Sequence, residues 1–125
     1  MKKKILILAG GFSKEKEISL KTAKGVFHQI KKKYHVKIIE PDGCLIKNIR
    51  LFKPDVVFNA LHGRYGEDGY IQSILESEKI KYTHSGVLSS SIAIDKEISK
   101  KIFVKNNILT PKYIKFKFNK IIKKT

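Results

Sequence analysis

Short apolar runs that alternate with helix-like stretches constrain the fold of this 125-residue chain. Such runs occupy residues 4–9, 35–39, 56–60 and 80–83, and they have the length of β-strands. Between them, apolar residues recur at intervals of three and four, as on one face of an α-helix. The stretch after the first run carries Ala23, Val26, Phe27, Ile30 and Tyr34. This alternation predicts an α/β fold, with a parallel sheet flanked by helices on both faces.

The remaining helical stretches are shorter. Residues 44–53 predict either a short helix or an irregular cover, residues 70–78 an amphipathic helix, and residues 87–94 a helical turn. Asp95 is placed to cap a last helix that ends near Asn106. A chain of this length without an internal repeat fits one ordinary domain.

A domain boundary is predicted near residues 110–111, because the residue before a proline avoids the helical region. Residues 1–110 then form the α/β domain, and residues 111–125 start a second domain. In that tail, apolar residues partly alternate with lysine, as in a strand with one wet face. Since the sequence offers this strand no partner, we expect either a disordered tail or a dimer formed through it.

The chain is strongly basic, with a formal net charge of +16 and a sequence pI of about 9.9. Lysine dominates the positive charge, with dense groups at residues 2–4, 31–33 and 112–124. Two interpretations stay open, solvated surface lysine or a weak and incidental affinity for polyanions. No RNA-binding motif or zinc-finger spacing accompanies the charge, so we expect no specific nucleic-acid partner.

Cysteine content and hydropathy exclude other classes. Cys44 is a single cysteine, which excludes an internal disulfide framework and a multi-cysteine zinc site. No apolar run approaches the roughly 18–20 residues of a membrane span. The apolar run near the amino terminus is too short for a signal peptide. We therefore expect a cytoplasmic protein with no membrane partner.

The loop after the third apolar run concentrates glycine and ionisable side chains. Residues 59–72 contain three glycines, which permit positive φ angles and close backbone approach to a ligand. Their ionisable side chains are those of His62, Arg64, Tyr65, Glu67 and Asp68. Ligands bind at the carboxyl ends of parallel strands, so this loop is the first candidate for a functional site.

Within this loop, His62 is the strongest candidate for chemistry. Its imidazole can donate to a carboxylate or a phosphate. Metal binding is not expected, because no second ligand stands at helical spacing from it. Glu67 and Asp68 suit either general acid–base catalysis or capping of the helix at residues 70–78, and the helix dipole favours capping. No role is assigned to His28, His35 and His84.

A second candidate loop follows the first apolar run. Gly10 and Gly11 form either a tight turn or a backbone floor for an anionic or carboxylate ligand. Ser13 is predicted as the helix N-cap, and Glu15 and Glu17 suit the positive end of the helix dipole. Glu15 lies nearer the strand end, so it can also reach a ligand bound there.

Four blocks of this sequence resemble the N-terminal signature of the D-alanine–D-alanine ligases. They are residues 10–20, 62–73, 82–86 and 93–96. The blocks stand in the family's order and spacing, and the resemblance extends from about Ile5 to Ile114. Two departures are Ile18, where the family usually has valine, and His84, where glycine is common.

The resemblance implies the Rossmann-like first domain of an ATP-grasp enzyme. That family joins two D-alanines for peptidoglycan through an acyl phosphate, using ATP and Mg²⁺. It implies that Glu15 orients the ammonium group of the first D-alanine and that Ile18 lines the pocket. His62, with Gly63 beside it, would lie near the D-alanine carboxylate and the developing acyl phosphate. Lys96 would approach the nucleotide phosphates. Glu15 and His62 are the implied catalytic residues, and no metal ligand is implied.

The family's main ATP contacts and magnesium carboxylates lie in grasp domains beyond the region of resemblance, and they map to no residue here. We therefore expect no ligase turnover from residues 1–125 alone. The expected partners are D-alanine and either a missing C-terminal ligase portion or a second copy. One alternative is a non-catalytic module of the same fold that binds a small carboxylate or another subunit. A basic polyanion-binding protein is the third hypothesis.

Overall fold

A three-stranded parallel sheet lies at the centre of the protein, for which a computed structural model describes residues 2–114. The strands are β1 (Lys4–Leu8), β2 (His35–Ile39) and β3 (Val56–Asn59), in the spatial order β2-β1-β3. The predicted parallel sheet is confirmed. The predictions for the tail beyond Ile114 lie outside the described residues.

Five helices accompany the sheet within the described range. They are α1 (Lys16–Ile30), α2 (Leu45–Phe52), α3 (Tyr70–Ser77), α4 (Val87–Ile94) and α5 (Lys96–Lys105). The stretch at residues 44–53 is therefore a helix and not an irregular cover. No helix in residues 2–114 is both long enough and apolar enough to span a membrane.

The central strand β1 is buried on both faces, because helices cover the sheet from both sides. Side chains alternate along a strand. Leu6 and Leu8 pack on one face into a cluster that includes residues of α2 and α3, while Ile7 packs on the other face with residues of α1. Leu6, Ile7 and Leu8 have no exposed surface. The predicted helices on both faces are confirmed.

The strand order determines where a ligand can enter. α1 connects β1 to β2 on one face, and α2 connects β2 to β3 on the other. After β1 the chain moves to β2, and after β3 it moves to the other side of the sheet, where Tyr82 bridges to Val57, so the chain turns in opposite directions at these two strand ends. In open α/β sheets, the crevice outside the carboxyl ends of two such strands is the usual ligand site.

The predicted fourth strand at residues 80–83 is reduced to one parallel bridge between Tyr82 and Val57. The Val57 N–H donates to the Lys81 carbonyl at 2.8 Å, and the Thr83 N–H donates to the Val57 carbonyl at 3.1 Å. The following residues turn into α4, so the ladder cannot continue. The strand prediction was correct in placement and wrong in extent.

The ends of α1 also differ from the prediction. The helix begins at Lys16, and Ser13 acts one turn earlier, where its hydroxyl accepts from the Glu15 N–H at 3.1 Å. At the other end, α1 stops at Ile30. Tyr34 lies beyond the helix in a turn, where its N–H still donates to the Ile30 carbonyl at 3.0 Å.

Candidate functional site

The loops after β1 and β3 meet at the carboxyl edge of the sheet. A β-carbon built on Gly63 would lie 3.5 Å from Oε2 of Glu15. The rings of Phe12 and Tyr65 stand edge to face with centroids 6.4 Å apart. The two candidate loops identified in the sequence are therefore neighbours in space, as expected for the carboxyl ends of parallel strands.

Gly10 and Gly11 have φ angles of +86° and +83°, a region that L side chains rarely adopt. A β-carbon on Gly11 would also lie 3.2 Å from Cδ2 of Leu61. The Gly10 N–H donates to Oγ of Ser19 at 2.8 Å, and Ser19 is completely buried. This bond ties the first turns of α1 to the end of β1. Sequence analysis did not identify Ser19, because a serine in the first turns of a helix has several ordinary roles.

Glu15 and Ile18 lie at the start of α1, where the helix dipole favours a negative charge. Both side chains are exposed, and Ile18 keeps 55% of its surface accessible. The Glu15 carboxylate therefore lies at an open surface beside Gly63 and not in a closed pocket.

His62 lies beside Glu67, which the sequence had favoured as a cap of α3. The imidazole Nδ1 lies 3.6 Å from Oε1 of Glu67, and Oε2 of the same carboxylate accepts from the Gly63 N–H at 2.8 Å. Within the described residues, Nε2 of His62 is buried without a hydrogen-bond partner. One nitrogen of the ring is thus oriented by a carboxylate and the other is unused.

The predicted capping of α3 is wrong for Glu67 and holds in part for Asp68. Glu67 turns back onto the loop to bind Gly63. Asp68 accepts from the N–H of Tyr70, the first residue of α3, at 3.1 Å and from the N–H of Tyr65 at 2.9 Å. The N-cap position itself is Gly69, which provides no side chain. Asp68, and not Glu67, accepts from the first N–H of α3.

Two buried amides fix the loop from below. Nδ2 of Asn59 and Nε2 of Gln72 both donate to the Gly66 carbonyl, at 2.7 and 3.0 Å. A β-carbon on Gly66 would approach Cβ of Leu61 to 2.5 Å, so only glycine fits there. Sequence analysis gave neither amide a role. The sequence signal that could have identified them is a polar residue, Asn59, at the end of an apolar strand and another, Gln72, on the apolar side of a helix.

Lys96 is the first residue of α5, and it lies near Glu67. Together they line a cavity of about 310 Å³ to which Gln72 and His84 also contribute. The Lys96 side chain is exposed, and its Nζ donates to the Ala93 carbonyl at 3.5 Å. A cation at this position can meet an anionic group entering the cavity. The structure therefore brings Lys96 to the same loop as His62, although 33 residues of sequence separate them.

A larger apolar cavity of about 730 Å³ lies beside the loop, between α2 and α3. His62 contributes to its lining, together with Leu45, Ile46 and Tyr65. Glu15 and Ile18 line neither cavity. The predicted residues thus share one edge of the sheet but do not enclose a common volume in this chain.

His84 was given no role from the sequence, yet it lines the cavity of Lys96 and Glu67. Partial burial lowers the pKa of His84 below its usual value, the Glu67 carboxylate opposes that shift, and the nearby His62 adds to it. The ring therefore tends to be neutral at neutral pH. Its proximity to His62 depends on the bridge between Tyr82 and β3, which the sequence does not reveal.

The described residues do not form a magnesium site. Within residues 2–114, no group of three or more histidine, cysteine, aspartate or glutamate side chains is arranged to hold a metal ion. Magnesium prefers several oxygen ligands in octahedral geometry. In the loop, Glu67 and Asp68 already accept backbone N–H groups.

Comparisons with known proteins point to one family. Residues 44–85 match the family model described as D-ala D-ala ligase N-terminus. The D-alanine–D-alanine ligase of Pelagibacter ubique strain HTCC1062 is 69% identical over 121 residues, which make up 96% of this chain and 40% of that protein. The ligase of Carboxydothermus hydrogenoformans is 46% identical over 117 residues, or 93% of this chain and 38% of that protein.

Solved structures agree with the sequence relatives. The crystal structure of D-alanine–D-alanine ligase from Bacillus anthracis complexed with ATP matches with a TM-score of 0.82 at 39% identity, covering 91% of this chain and 38% of that one. D-alanyl-alanine synthetase A from Vibrio cholerae matches with a TM-score of 0.73 at 27% identity, covering 86% and 38%. The chain spans about 40% of the length of the curated relatives it matches.

Proposed function

We propose that this chain, which is related over most of its length to the N-terminal part of D-alanine–D-alanine ligases, forms the D-alanine-binding wall of such a ligase. The ligase would make the D-Ala-D-Ala dipeptide for peptidoglycan in the cytoplasm. One observation carries the proposal. The Glu15 carboxylate lies beside Gly63 at the carboxyl edge of the sheet, next to a histidine oriented by Glu67.

The proposed substrate suits the charges of this edge. A D-alanine zwitterion carries an ammonium group, a carboxylate and one methyl group. Glu15 would bind the ammonium group by a charge-assisted hydrogen bond. Ile18, which is exposed one turn along α1, would contact the methyl group. His62 would lie toward the carboxylate, with the Gly63 backbone beside it.

ATP supplies the phosphoryl group that activates the D-alanine carboxylate. Lys96, exposed at the start of α5, would approach the phosphates and offset their negative charge. His62 would stabilise charge that develops on the substrate oxygen atoms. Most nucleotide contacts and the magnesium ligands are proposed to lie in a portion that corresponds to the remaining 60% of the relatives' length. We also propose that residues 111–125 begin that portion.

A chimera tests the proposal directly. Residues 1–110 of this chain would replace the matching portion of the Pelagibacter ubique ligase, which is 69% identical to it. We expect the chimera to form D-Ala-D-Ala with ATP consumption that depends on D-alanine. Glu15→Gln should lower kcat/KM for D-alanine roughly 10–100-fold, the effect of losing one hydrogen bond between charged groups.

Glu17→Gln is the matched control, since it makes the same chemical change two residues further along α1. It should change kcat/KM by less than about twofold, as expected for an exposed surface charge. Lys96→Gln should raise the KM for ATP more than the KM for D-alanine. A folded chimera that binds ATP but forms no dipeptide would contradict the proposal, as would a Glu15→Gln variant with unchanged kinetics.

A subunit-interaction module is the second candidate, and the surface of α4 and α5 favours it. Apolar side chains there are exposed: Leu88, Ile98, Phe103 and Val104. Large apolar surfaces of this kind mark interaction sites. Under this alternative, the purified chain would associate in light scattering while the chimera stays inactive. A monomeric chain and an active chimera would exclude it.

A further inference from the structure

His84 shares its environment with the two residues that define the loop after β3. It lines the same cavity as Glu67 and interacts electrostatically with both Glu67 and His62. Glu67 in turn lies 3.6 Å from His62 through Oε1. One carboxylate therefore faces His62 and lines the same cavity as His84, although the two imidazoles are 22 residues apart in the sequence.

The His84 ring is held in place by its neighbours. Nδ1 lies 3.1 Å from the Thr83 hydroxyl oxygen, and the ring meets Phe58 of β3 edge to face with centroids 6.0 Å apart. These contacts engage one nitrogen and one edge of the imidazole. In the tautomer in which Nδ1–H donates to the Thr83 hydroxyl, Nε2 is the nitrogen that can take a proton from solvent.

We propose that His84 is a positioning residue for His62, acting through the shared Glu67 carboxylate. While His84 is neutral, the Glu67 carboxylate attracts the His62 imidazole and accepts from the Gly63 N–H without competition from His84. When His84 takes a proton from solvent, the carboxylate is attracted to both imidazoles, and its hold on His62 weakens. For the role of His62 toward a substrate carboxylate, this inference rests on the proposed function.

Charged groups on each neighbouring element define the balance at His84. Glu67 attracts a proton to the ring and His62 repels it, both from the loop after β3. Lys96 lines the same cavity from the start of α5 and adds positive charge. Glu76 on α3 is engaged by the Tyr82 hydroxyl at 2.6 Å. Partial burial lowers the pKa of His84, which keeps the ring neutral near neutral pH.

The test is an NMR titration of the histidine rings in the purified chain, without substrate. In the unaltered protein, the His62 ring signals should show a second inflection at the midpoint of the His84 titration. Glu67→Gln should lower the pKa of His84, because an attractive charge is removed. His62→Gln should raise it, because a repulsive charge is removed. Glu17→Gln, a remote carboxylate on α1, is the control and should leave the His84 titration unchanged.

Because Glu67 also binds the Gly63 backbone, its replacement can disturb the loop, so His84→Gln provides a second variant that leaves this backbone contact in place. In this variant the extra inflection in the His62 signals should disappear while the amide spectrum is preserved. The inference would be overturned if the His62 ring signals followed the same pH dependence with and without His84. It would also be overturned if the pKa of His84 were unchanged in both the Glu67→Gln and the His62→Gln variants. An inactive chimera together with coupled titrations would instead contradict the proposed function alone.

Discussion

Individual residues in the loop after β3 fix the shape of the site, some by hydrogen bonds and others by allowing close packing. Glu67 binds the Gly63 backbone with one carboxylate oxygen and faces His62 with the other. Gly66 and Gly69 permit close packing that no side chain allows, against Leu61 and against α4. The shape of the loop therefore depends on the Glu67 carboxylate and on the absence of β-carbons at Gly66 and Gly69.

Gly69 offers the sharpest stability prediction at this scale. Its φ angle is +96°, and an added β-carbon would lie 2.5 Å from the Ser91 hydroxyl and 2.9 Å from the Val87 carbonyl oxygen. Gly69→Ala should lower the free energy of unfolding by at least about 2 kcal/mol, since backbone strain and a backbone clash add. Urea unfolding followed by circular dichroism measures it.

Gly25→Ala is the matched control, because Gly25 lies inside α1 and a β-carbon there meets nothing within 4 Å. It should raise the free energy of unfolding by roughly 0.5–1 kcal/mol, as alanine is favoured over glycine in helices. Equal effects of the two substitutions would show that the Gly69 conformation is unimportant.

Tyr82 provides a titration prediction. Its hydroxyl donates to Oε1 of Glu76 at 2.6 Å, and this bond with partial burial raises the pKa of Tyr82 to about 12 from an ordinary 10.0. The folded protein then holds this proton at pH values where the unfolded chain has lost it. The contribution to stability is complete below pH 10.0 and is lost as the pH rises toward about 12.

NMR of the tyrosine rings resolves this titration from those of the other tyrosines. Glu76→Gln should move the pKa of Tyr82 back toward 10.0, because the negative acceptor is removed. A pKa near 10.0 in the unaltered protein would mean that the bond to Glu76 does not persist in solution.

At the scale of elements, α5 has the best-defined start of the helices. Oδ1 of Asp95 accepts from the N–H groups of Glu97 and Ile98 at 2.9 and 3.0 Å. The Ser99 hydroxyl then donates back to carbonyls of α4, including Ile92 at 2.9 Å. The cap predicted from the sequence is confirmed, and it also sets the corner between α4 and α5 on which Lys96 stands.

Asp95→Ala should lower the free energy of unfolding by about 1 kcal/mol, within the 0.5–2 kcal/mol range for lost N-caps. The physical reason is that two N–H groups at the start of α5 lose their acceptor. Asp95→Asn keeps an oxygen acceptor and should cost clearly less. Thermal unfolding of both variants measures the difference, and equal losses would indicate that the charge and not the hydrogen bonds matters.

At the scale of the whole molecule, two of the dense lysine groups lie away from the candidate loops. The lysine groups at residues 2–4 and 31–33 meet at the amino end of the sheet, where Nζ of Lys2 donates to the Lys32 carbonyl at 2.8 Å. The candidate loops lie at the opposite, carboxyl end. The positive charge of these lysines therefore does not serve the loops, whether it is solvated or attracts polyanions.

We predict that the purified chain alone forms no D-Ala-D-Ala from ATP and D-alanine. Glu15 and Ile18 are exposed. Groups that stay in contact with water cannot provide the preorganised, low-dielectric surroundings on which such electrostatic catalysis depends. Chromatographic detection of the dipeptide is the measurement, with the active chimera as positive control. Turnover by the chain alone would show that the prediction is wrong.

The sequence alone predicts the order and type of the main elements, because each element carries its own periodicity. The runs at 4–9, 35–39 and 56–60 became strands that differ by one residue or less at each end. It also singled out both loops and the Asp95 cap, since glycine turns and N-caps are local signals. The α/β fold and the two candidate loops were therefore predictable without coordinates.

The contacts that side chains make across these loops could not be predicted from the sequence and follow from the three-dimensional fold. Glu67 faces His62 and accepts from the Gly63 N–H instead of capping α3, and the predicted strand at residues 80–83 is reduced to one bridge. Asn59 and Gln72 acquired one common acceptor. Such contacts depend on the separation of strand ends in space, which hydrophobic periodicity does not encode.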